Sequence, residues 1–250
     1  MTAVYWVLQH GSDVPASDEW LSASEREVLA RLWAPRRVRD WRLGRWTAKR
    51  ALARAGGAGL SESDTAAWAC ISIRTRETGL PYAVVDESEM EWVISLSHSG
   101  DCGLCAVVQR PAVVGCDIET VGRRGEEFVV DWFTAAERAL VESIDAAEQR
   151  SRLVTLVWSA KESALKALGV GLRLDTREVE VEVGAAAPGT PPQASLPGGG
   201  RGSGLEWSRL VVRAPGRSLH GWWRTQEDRV MTIVADPAPA LPVAVLGASL

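Results

Sequence analysis

Apolar and polar positions alternate with two distinct periods along the chain. Residues 4–9 form a short apolar run that predicts a strand. Ser22 or Ser24, each with a Glu three positions on, opens a first helix through about Trp33. Pro35 then suits the first position of a second helix, which runs to about Ala55 and stops at Gly56-Gly57. Strand-like runs come next at 68–73, 82–85, 92–96, 103–109 and 113–119, with turn chemistry at Gly79-Leu80-Pro81 and Arg110-Pro111. The second half repeats this order. Thr134-Ala135-Ala136-Glu137 is a capping box that opens a helix to about Ala147, and a longer helix ends at Gly169. Further strands are predicted at 178–183, 205–212, 219–224 and 229–235. Residues 185–204, dense in Pro, Gly and Ala, read as a long mobile hairpin loop, and 236–250, with three prolines, as an irregular tail. The pattern predicts an α+β chain with one half at 1–114 and another at 115–250. No obvious identity links the halves, so the duplication rests on element order alone.

The helix ending at Gly169 has two informative faces. Leu153, Leu156, Val157, Ala160, Ala164 and Leu168 make a core stripe, while the opposite face carries Trp158, Glu162, Leu165 and Lys166. Glu162 and Lys166 alone would be an ordinary surface pair worth roughly 0.2–0.5 kcal/mol. The Trp and Leu beside them predict a partly enclosed carboxylate and ammonium, a setting in which charges do chemistry.

With 250 residues, 46% of them hydrophobic, the chain can bury a real core. A formal net charge of -4 argues against general binding of nucleic acid or an anionic membrane. The first residues lack a charged leader and no run is long enough to span a bilayer, so a cytoplasmic protein is expected. The second helix changes this picture. Arg36, Arg37, Arg39, Arg42, Arg45, Lys49, Arg50 and Arg54 face only Asp40, and such a concentration in an acidic chain suggests an anion site, most simply for phosphate.

Cys102-Gly103-Leu104-Cys105 has the spacing of a redox or zinc motif, but no second close pair completes a zinc site. The run 102–108 also reads as a buried strand in which free Cys acts as a small hydrophobe. A cysteine-based redox role requires Cys102 and Cys105 to be exposed.

In Gly115-Cys116-Asp117-Ile118-Glu119, period-two alternation puts Asp117 and Glu119 on one face. Two carboxylates side by side suit a hard cation, Mg²⁺ first, when phosphates complete its shell. A solvated strand end explains the same five residues equally well. Ser95-Leu96-Ser97-His98-Ser99-Gly100 gathers hydroxyls, backbone N–H groups and an imidazole at a strand end, and such a cluster can hold a phosphate.

These blocks resemble the Sfp-type 4′-phosphopantetheinyl transferases. Gly115 to Glu119, then Phe133-Thr134 with Glu137, then Trp158-Ser159-Ala160-Lys161-Glu162 with Lys166, are similar to the family's signature blocks, and Ser97-His98 and the segment 37–45 to its coenzyme A blocks. The resemblance spans about 36–171. It implies a pseudo-symmetric α+β fold, two halves each with helices packed on an antiparallel sheet, and the coenzyme A between them. It implies transfer of the phosphopantetheine arm to a serine of an apo acyl- or peptidyl-carrier protein by a monomer, with release of adenosine 3′,5′-bisphosphate. By that resemblance Asp117, Glu119 and Glu162 hold Mg²⁺, Glu162 also helps deprotonate the serine, and Lys166 meets the leaving phosphate. Ser97, His98, Arg37 and Arg45 bind the nucleotide phosphates. The family's Lys or Arg between Gly and Pro is Leu80 here, so Arg74, Arg76 or the basic helix is expected to reach the 3′-phosphate. Residues 121–132, with Arg123 and Arg124, correspond to the region that meets the carrier. The alternative is a coenzyme A- or nucleotide-binding protein on the same fold without turnover.

Overall fold

The computed structural model describes residues 3–56, 66–184, 207–239 and 243–244. Strand β1 (Tyr5–His10) leads to helices α1 (Ala23–Leu29) and α2 (Pro35–Arg54). Strands β2 (Ile71–Thr75), β3 (Pro81–Val85), β4 (Ser88–Glu89), β5 (Trp92–Ser99), β6 (Cys102–Gln109) and β7 (Val113–Thr120) come after them. The second half adds α3 (Glu126–Trp132), α4 (Ala135–Glu142), α5 (Ala147–Leu168), β8 (Glu180–Val183), β9 (Ser208–Ala214), β10 (Arg217–Gln226), β11 (Arg229–Asp236) and β12 (Val243–Ala244). The order is that of an α+β chain, with a pair or trio of helices followed by a run of strands in each half.

Among the described residues three sheets form: β12-β1-β6-β5, β7-β11-β10-β9-β8 and the small β2-β3-β4. The proposed boundary at 114/115 falls inside β7, whose only backbone-paired neighbour among the described residues is β11 of the second half. Sequence expectations differ from the structure in several places, and the helix expected through Trp33 already ends at Leu29. Residues 66–70 form a 3₁₀ turn, so the strand expected from Trp68 starts at Ile71. Residues 126–132, expected as a connecting segment, form α3, and the helix expected to reach Ala147 stops at Glu142. The tail is not wholly irregular, because Val243–Ala244 pair in parallel with Tyr5 and Trp6. The hairpin loop expected at 185–204 lies outside the described residues.

The apolar run of β6 is explained by burial on both faces. Cys102, Leu104, Ala106 and Val108 pack between the two larger sheets with Val114, Cys116, Ile118, Met231 and Ile233. Cys105 and Val107 point the other way, onto α2 with Ala48, Ala51 and Leu52. The two thiols therefore occupy opposite faces of one strand and cannot pair. Burial pushes the Cys102 thiol up to about 11 and the Cys105 thiol well above its ordinary range, so the exposed, low-pKa thiols that redox work requires are not provided.

Each half builds its helix layer on one buried ion pair. Ser22 caps α1 and Glu25 closes the capping box; the same Glu25 accepts from Lys49 of α2 at 2.6 Å and from the Ile73 N–H at 2.9 Å. Thr134 and Glu137 do this for α4, with Lys161 of α5 at 2.8 Å and the Val181 N–H at 2.8 Å. Both lysines are fully buried and donate also to backbone carbonyls. The cap, the glutamate and the lysine recur at one constant offset along the chain, the lysines within Trp46-Thr47-Ala48-Lys49 and Trp158-Ser159-Ala160-Lys161. This corrects the expectation that Lys49 belongs to an anion-binding face.

Glycine lets each long helix lie directly on its sheet. A Cβ at Gly103 of β6 would meet Thr47 Oγ1 at 2.9 Å and Leu43 Cγ at 3.0 Å. At Gly115 of β7 it would lie 1.8 Å from the Ser163 carbonyl oxygen and 2.8 Å from the Ala167 nitrogen, both backbone atoms of α5. Gly115→Ala must therefore push α5 off β7. We expect a loss of about 1–3 kcal/mol, the usual cost of overpacking, read as a lowered urea midpoint.

Candidate active site

The close contact at Gly115 sets the geometry two residues further along. Asp117 projects from the same face of β7 toward α5, where Lys166 Nζ donates to Asp117 Oδ1 at 2.7 Å and to the Cys116 carbonyl at 3.3 Å. Ser97 Oγ of β5 donates to the same Oδ1 at 2.7 Å. The other oxygen, Asp117 Oδ2, is buried with no hydrogen-bond partner. A buried carboxylate oxygen without a donor is costly unless something else is meant to meet it.

Glu119 and Glu162 flank this aspartate. Burial lifts both carboxyls above the ordinary range, and the neighbouring acidic charges, Asp117 above all, add to the effect. Arg124 lies 3.4 Å from Glu119 and stacks on Phe128 at 4.6 Å. At Lys166 burial acts to lower the ammonium, but Asp117 with Cys116 and Glu162 outweighs it and the group is held above its ordinary value. The three carboxylates share one neighbourhood without closing into a ligand set, since their oxygens are not all within 4.8 Å of one another. Lys166 holds Asp117 and Arg124 holds Glu119, which draws two of the three toward cations of the chain itself. The all-oxygen donor set and the orphaned Oδ2 fit a hard divalent cation.

The raised carboxyls carry a pH signature. A carboxyl whose folded-state value lies above its unfolded one makes folding less favourable as pH rises from the unfolded value through the folded one. In chelator, Glu119→Gln should therefore melt a few degrees above the parent chain at neutral pH. That advantage should disappear below pH 4.5, the ordinary value of the group, where the parent carboxyl is also neutral. Thermal melts at the two pH values measure the difference.

A second feature lies across β5. A cavity of about 540 Å³ is lined by Arg36, Arg37, Trp41 and Arg45 of α2 and by Leu96 and His98 of β5. Arg45 stacks on Trp41 at 4.3 Å, and its Nε is buried without a partner. The alternation of β5 separates Ser97 from His98. Ser95, Ser97 and Ser99 turn toward β7, bonding the Cys116 N–H, Asp117 and Thr120, whereas Leu96 and His98 face the cavity. Arg37, Arg45 and His98 are thus brought together as expected, and Ser97 is placed on the carboxylate instead. Arg76 is engaged elsewhere, paired with Glu89 and lying over Tyr82, and Arg74 pairs with Glu87. Arg42 and Lys49 are bound within the fold, by Asp18 and Glu25. Leu80 packs against the end of α5, within 3.0 Å of where a Cβ on Gly169 would stand.

Sequence reasoning missed the roles of Ser97, Ser95 and Arg124. The Ser-x-Ser-x-Ser alternation at 95–99 is the available signal for the first two, since a polar side chain at every second strand position marks one polar face. Nothing local marks Arg124 as an inward-turning residue.

Among the described residues no helix is long and apolar enough to cross a membrane. Residues 113–198, which hold Asp117, Glu119, Glu162 and Lys166, match the model of the 4'-phosphopantetheinyl transferase superfamily. The chain is 35% identical over 88 residues to a holo-acyl-carrier-protein synthase of Shouchella clausii, covering 35% of this chain and 73% of that protein. It is 27% identical over 199 residues to the L-aminoadipate-semialdehyde dehydrogenase-phosphopantetheinyl transferase of Xenopus laevis, covering 73% of this chain and 63% of the relative. A crystal structure of Thermotoga maritima holo-acyl-carrier-protein synthase aligns at 20% identity with a TM-score of 0.35, over 58% of this chain and 92% of that one. By its match to the Shouchella protein, and to the superfamily model over the strand and helix that carry the carboxylates, this chain belongs to the 4'-phosphopantetheinyl transferase superfamily.

Proposed function

We propose that the chain moves the 4′-phosphopantetheine arm of coenzyme A onto a serine of an apo acyl- or peptidyl-carrier protein and releases adenosine 3′,5′-bisphosphate. The observation that carries this reading is the Asp117–Lys166 contact with Glu119 and Glu162 beside it, separated only by β5 from the arginine-lined cavity. Phosphoryl-type transfer needs chiefly positioning and charge stabilisation, and those two features supply both.

In this mechanism the serine oxygen bonds to the phosphorus that bears the pantetheine arm, and the bond from that phosphorus to the adenosine-side phosphate oxygen breaks. Glu162 takes the serine proton. Its raised carboxyl makes it a stronger base than an ordinary glutamate once ionised. Lys166, kept charged by Asp117, meets the negative charge that grows on the leaving phosphate. Asp117, Glu119 and Glu162 would hold a divalent cation, Mg²⁺ by the all-oxygen donor set, and such an ion supplies Lewis-acid stabilisation of the pyrophosphate. Arg37, Arg45 and His98 bind the nucleotide phosphates. With Arg74 and Arg76 neutralised by glutamates, α2 is the element left to take the 3′-phosphate that Leu80 cannot reach. Arg45→Ala should then raise the KM for coenzyme A about tenfold or more, the worth of one charge-assisted contact. The KM for 3′-dephospho-coenzyme A should change little.

The carrier is taken to meet residues 121–132, where Arg123 and Val130 are exposed and Arg124 is turned inward. The enzyme is read as a cytoplasmic monomer whose two halves supply one site. Incubation with apo carrier proteins, coenzyme A and Mg²⁺, followed by intact mass, tests the reading. Addition of a phosphopantetheine arm to the carrier serine is expected, and no adduct on fatty-acid, polyketide or peptide carriers would favour a binding protein without turnover.

A further inference from the structure

At the ends of the strands, on the side of the molecule where β1 meets β6, His10, Asp101 and Cys102 bring one ligand atom each to within 4.8 Å of the others. His10 closes β1 and Cys102 opens β6, and the two are register partners across that strand pair. His10 Nδ1 stands 3.2 Å from Cys102 Sγ and 3.9 Å from Asp101 Oδ2, and Sγ stands 3.5 Å from Asp101 Oδ1. A zinc ion with ordinary bond lengths to sulfur, nitrogen and oxygen holds its ligand atoms about 3.4–3.6 Å apart in a tetrahedron; the Nδ1–Sγ and Nδ1–Oδ2 separations, 3.2 and 3.9 Å, lie on either side of that range.

The arrangement does not resemble a proton relay. In a Cys-His-Asp relay the sulfur and the carboxylate meet different ring nitrogens, but here both meet Nδ1. One nitrogen facing a sulfur and an oxygen together suits a single ion better than a chain of proton transfers.

The surroundings also suit an ion. Arg229 Nη2 donates to Asp101 Oδ1 at 3.2 Å, leaving Oδ2 for the side facing His10. Outer contacts of this kind commonly orient a ligating carboxylate. The guanidinium is itself answered by Glu227 at 3.4 Å and Asp228 at 3.3 Å. A cavity of about 10 Å³ opens beside the sulfur, lined on its polar side by His10, Cys102, Gln226, Glu227 and Arg229 and on its apolar side by Leu8, Ile118 and Met231. That is room for about one water-sized sphere.

We infer that His10, Asp101 and Cys102 form a site for Zn²⁺ or a similar borderline transition metal, separate from the carboxylate set on β7 and α5. Binding forms a metal–sulfur bond and releases the thiol proton to solvent. Because Glu227 and Arg229 belong to the β10–β11 hairpin, an ion there ties the end of the first sheet to the turn of the second, so its role is structural.

The test is a titration of the chelator-stripped full chain with Co²⁺ in excess Mg²⁺, which fills oxygen-only sites. One equivalent should give a sulfur-to-cobalt charge-transfer absorption in the near ultraviolet. Cys102→Ser should remove the band, and His10→Gln should weaken the apparent affinity at least about tenfold. Zn²⁺ should raise the melting temperature of the parent chain and leave that of Cys102→Ser unmoved. Absence of the band at saturation would overturn the assignment. So would a band that persists in Cys102→Ser, which would belong to the exposed Cys70. If Cys102→Ser does not fold, the His10→Gln titration decides by the same criterion.

Discussion

Glu162→Gln is expected to lower turnover of an apo carrier protein by about two to four orders of magnitude, the span usual for loss of a general base. The variant keeps the size and hydrogen-bonding reach of the side chain while replacing the basic carboxylate by an amide that cannot take the proton. Its fold should be undisturbed, because Glu162 makes no ion pair as close as that between Lys166 and Asp117 and is destabilised in its charged form by burial and by two acidic neighbours. Full turnover in Glu162→Gln, measured by intact mass at saturating coenzyme A, would remove Glu162 from the chemistry. The same result with normal coenzyme A binding would leave the cavity on α2 untouched.

The long helix, its glycine stop and the inward pair Asp117 and Glu119 are readable in the sequence because each depends on a short-range rule. Gly169 does adopt the left-handed cap, with φ 69°, and Asp117 is buried on the face that alternation assigns it. Other features depend on what lies opposite a residue in space. In sequence Lys49 is one more cation on a basic helix, and only the position of Glu25 and of the Trp20 and Trp68 carbonyls makes it a core residue. Helix α3 is a single pair of turns without a side-chain cap, so its periodicity is too short to register. Ser97 and His98 are adjacent in sequence and suggest one shared site, although neighbours in a strand point to opposite faces.

The internal repeat is in plain sight as Trp-Thr-Ala-Lys and Trp-Ser-Ala-Lys, and it is hidden by the residues just beyond each motif. Arg50 and Arg54 of α2 stand where α5 has Glu162 and Lys166. The buried Ala and Lys of the motif recur in both helices, while of the two positions beyond it one reverses its charge, Glu162 against Arg50, and the other keeps it, Lys166 against Arg54. A helix that must keep its Lys in the core, against a Glu of the helix before it, constrains only one side of itself. Its other side is then available to bind anions in one half and to gather carboxylates in the other.

Removal of one of those buried lysines should be the most damaging single change to stability. Lys161→Met deletes three donor contacts, to Glu137 and to the carbonyls of Thr176 and Val179, and leaves the carboxylate buried without its counter-charge. Breaking one partner of such a pair costs about 3–5 kcal/mol, a large share of the stability of an ordinary domain. Burial lowers the Lys161 ammonium and Glu137 opposes that effect, so the glutamate is what keeps the lysine charged there. Pairing Lys161→Met with Glu137→Gln should recover part of the loss, since the buried charge is then removed from both sides. The recovery should be incomplete, because Glu137 also accepts from the Thr134 and Val181 N–H groups and the two carbonyls stay unmet. Lys49→Met should behave alike in the first half. The two halves share the core that joins Leu104 and Val108 to Ile118 and Ile233, so each substitution should shift one common urea transition and should not split it in two. Separate transitions, with only one displaced by each variant, would mean that the halves unfold on their own and that the shared core is weaker than the buried ion pair inside each half.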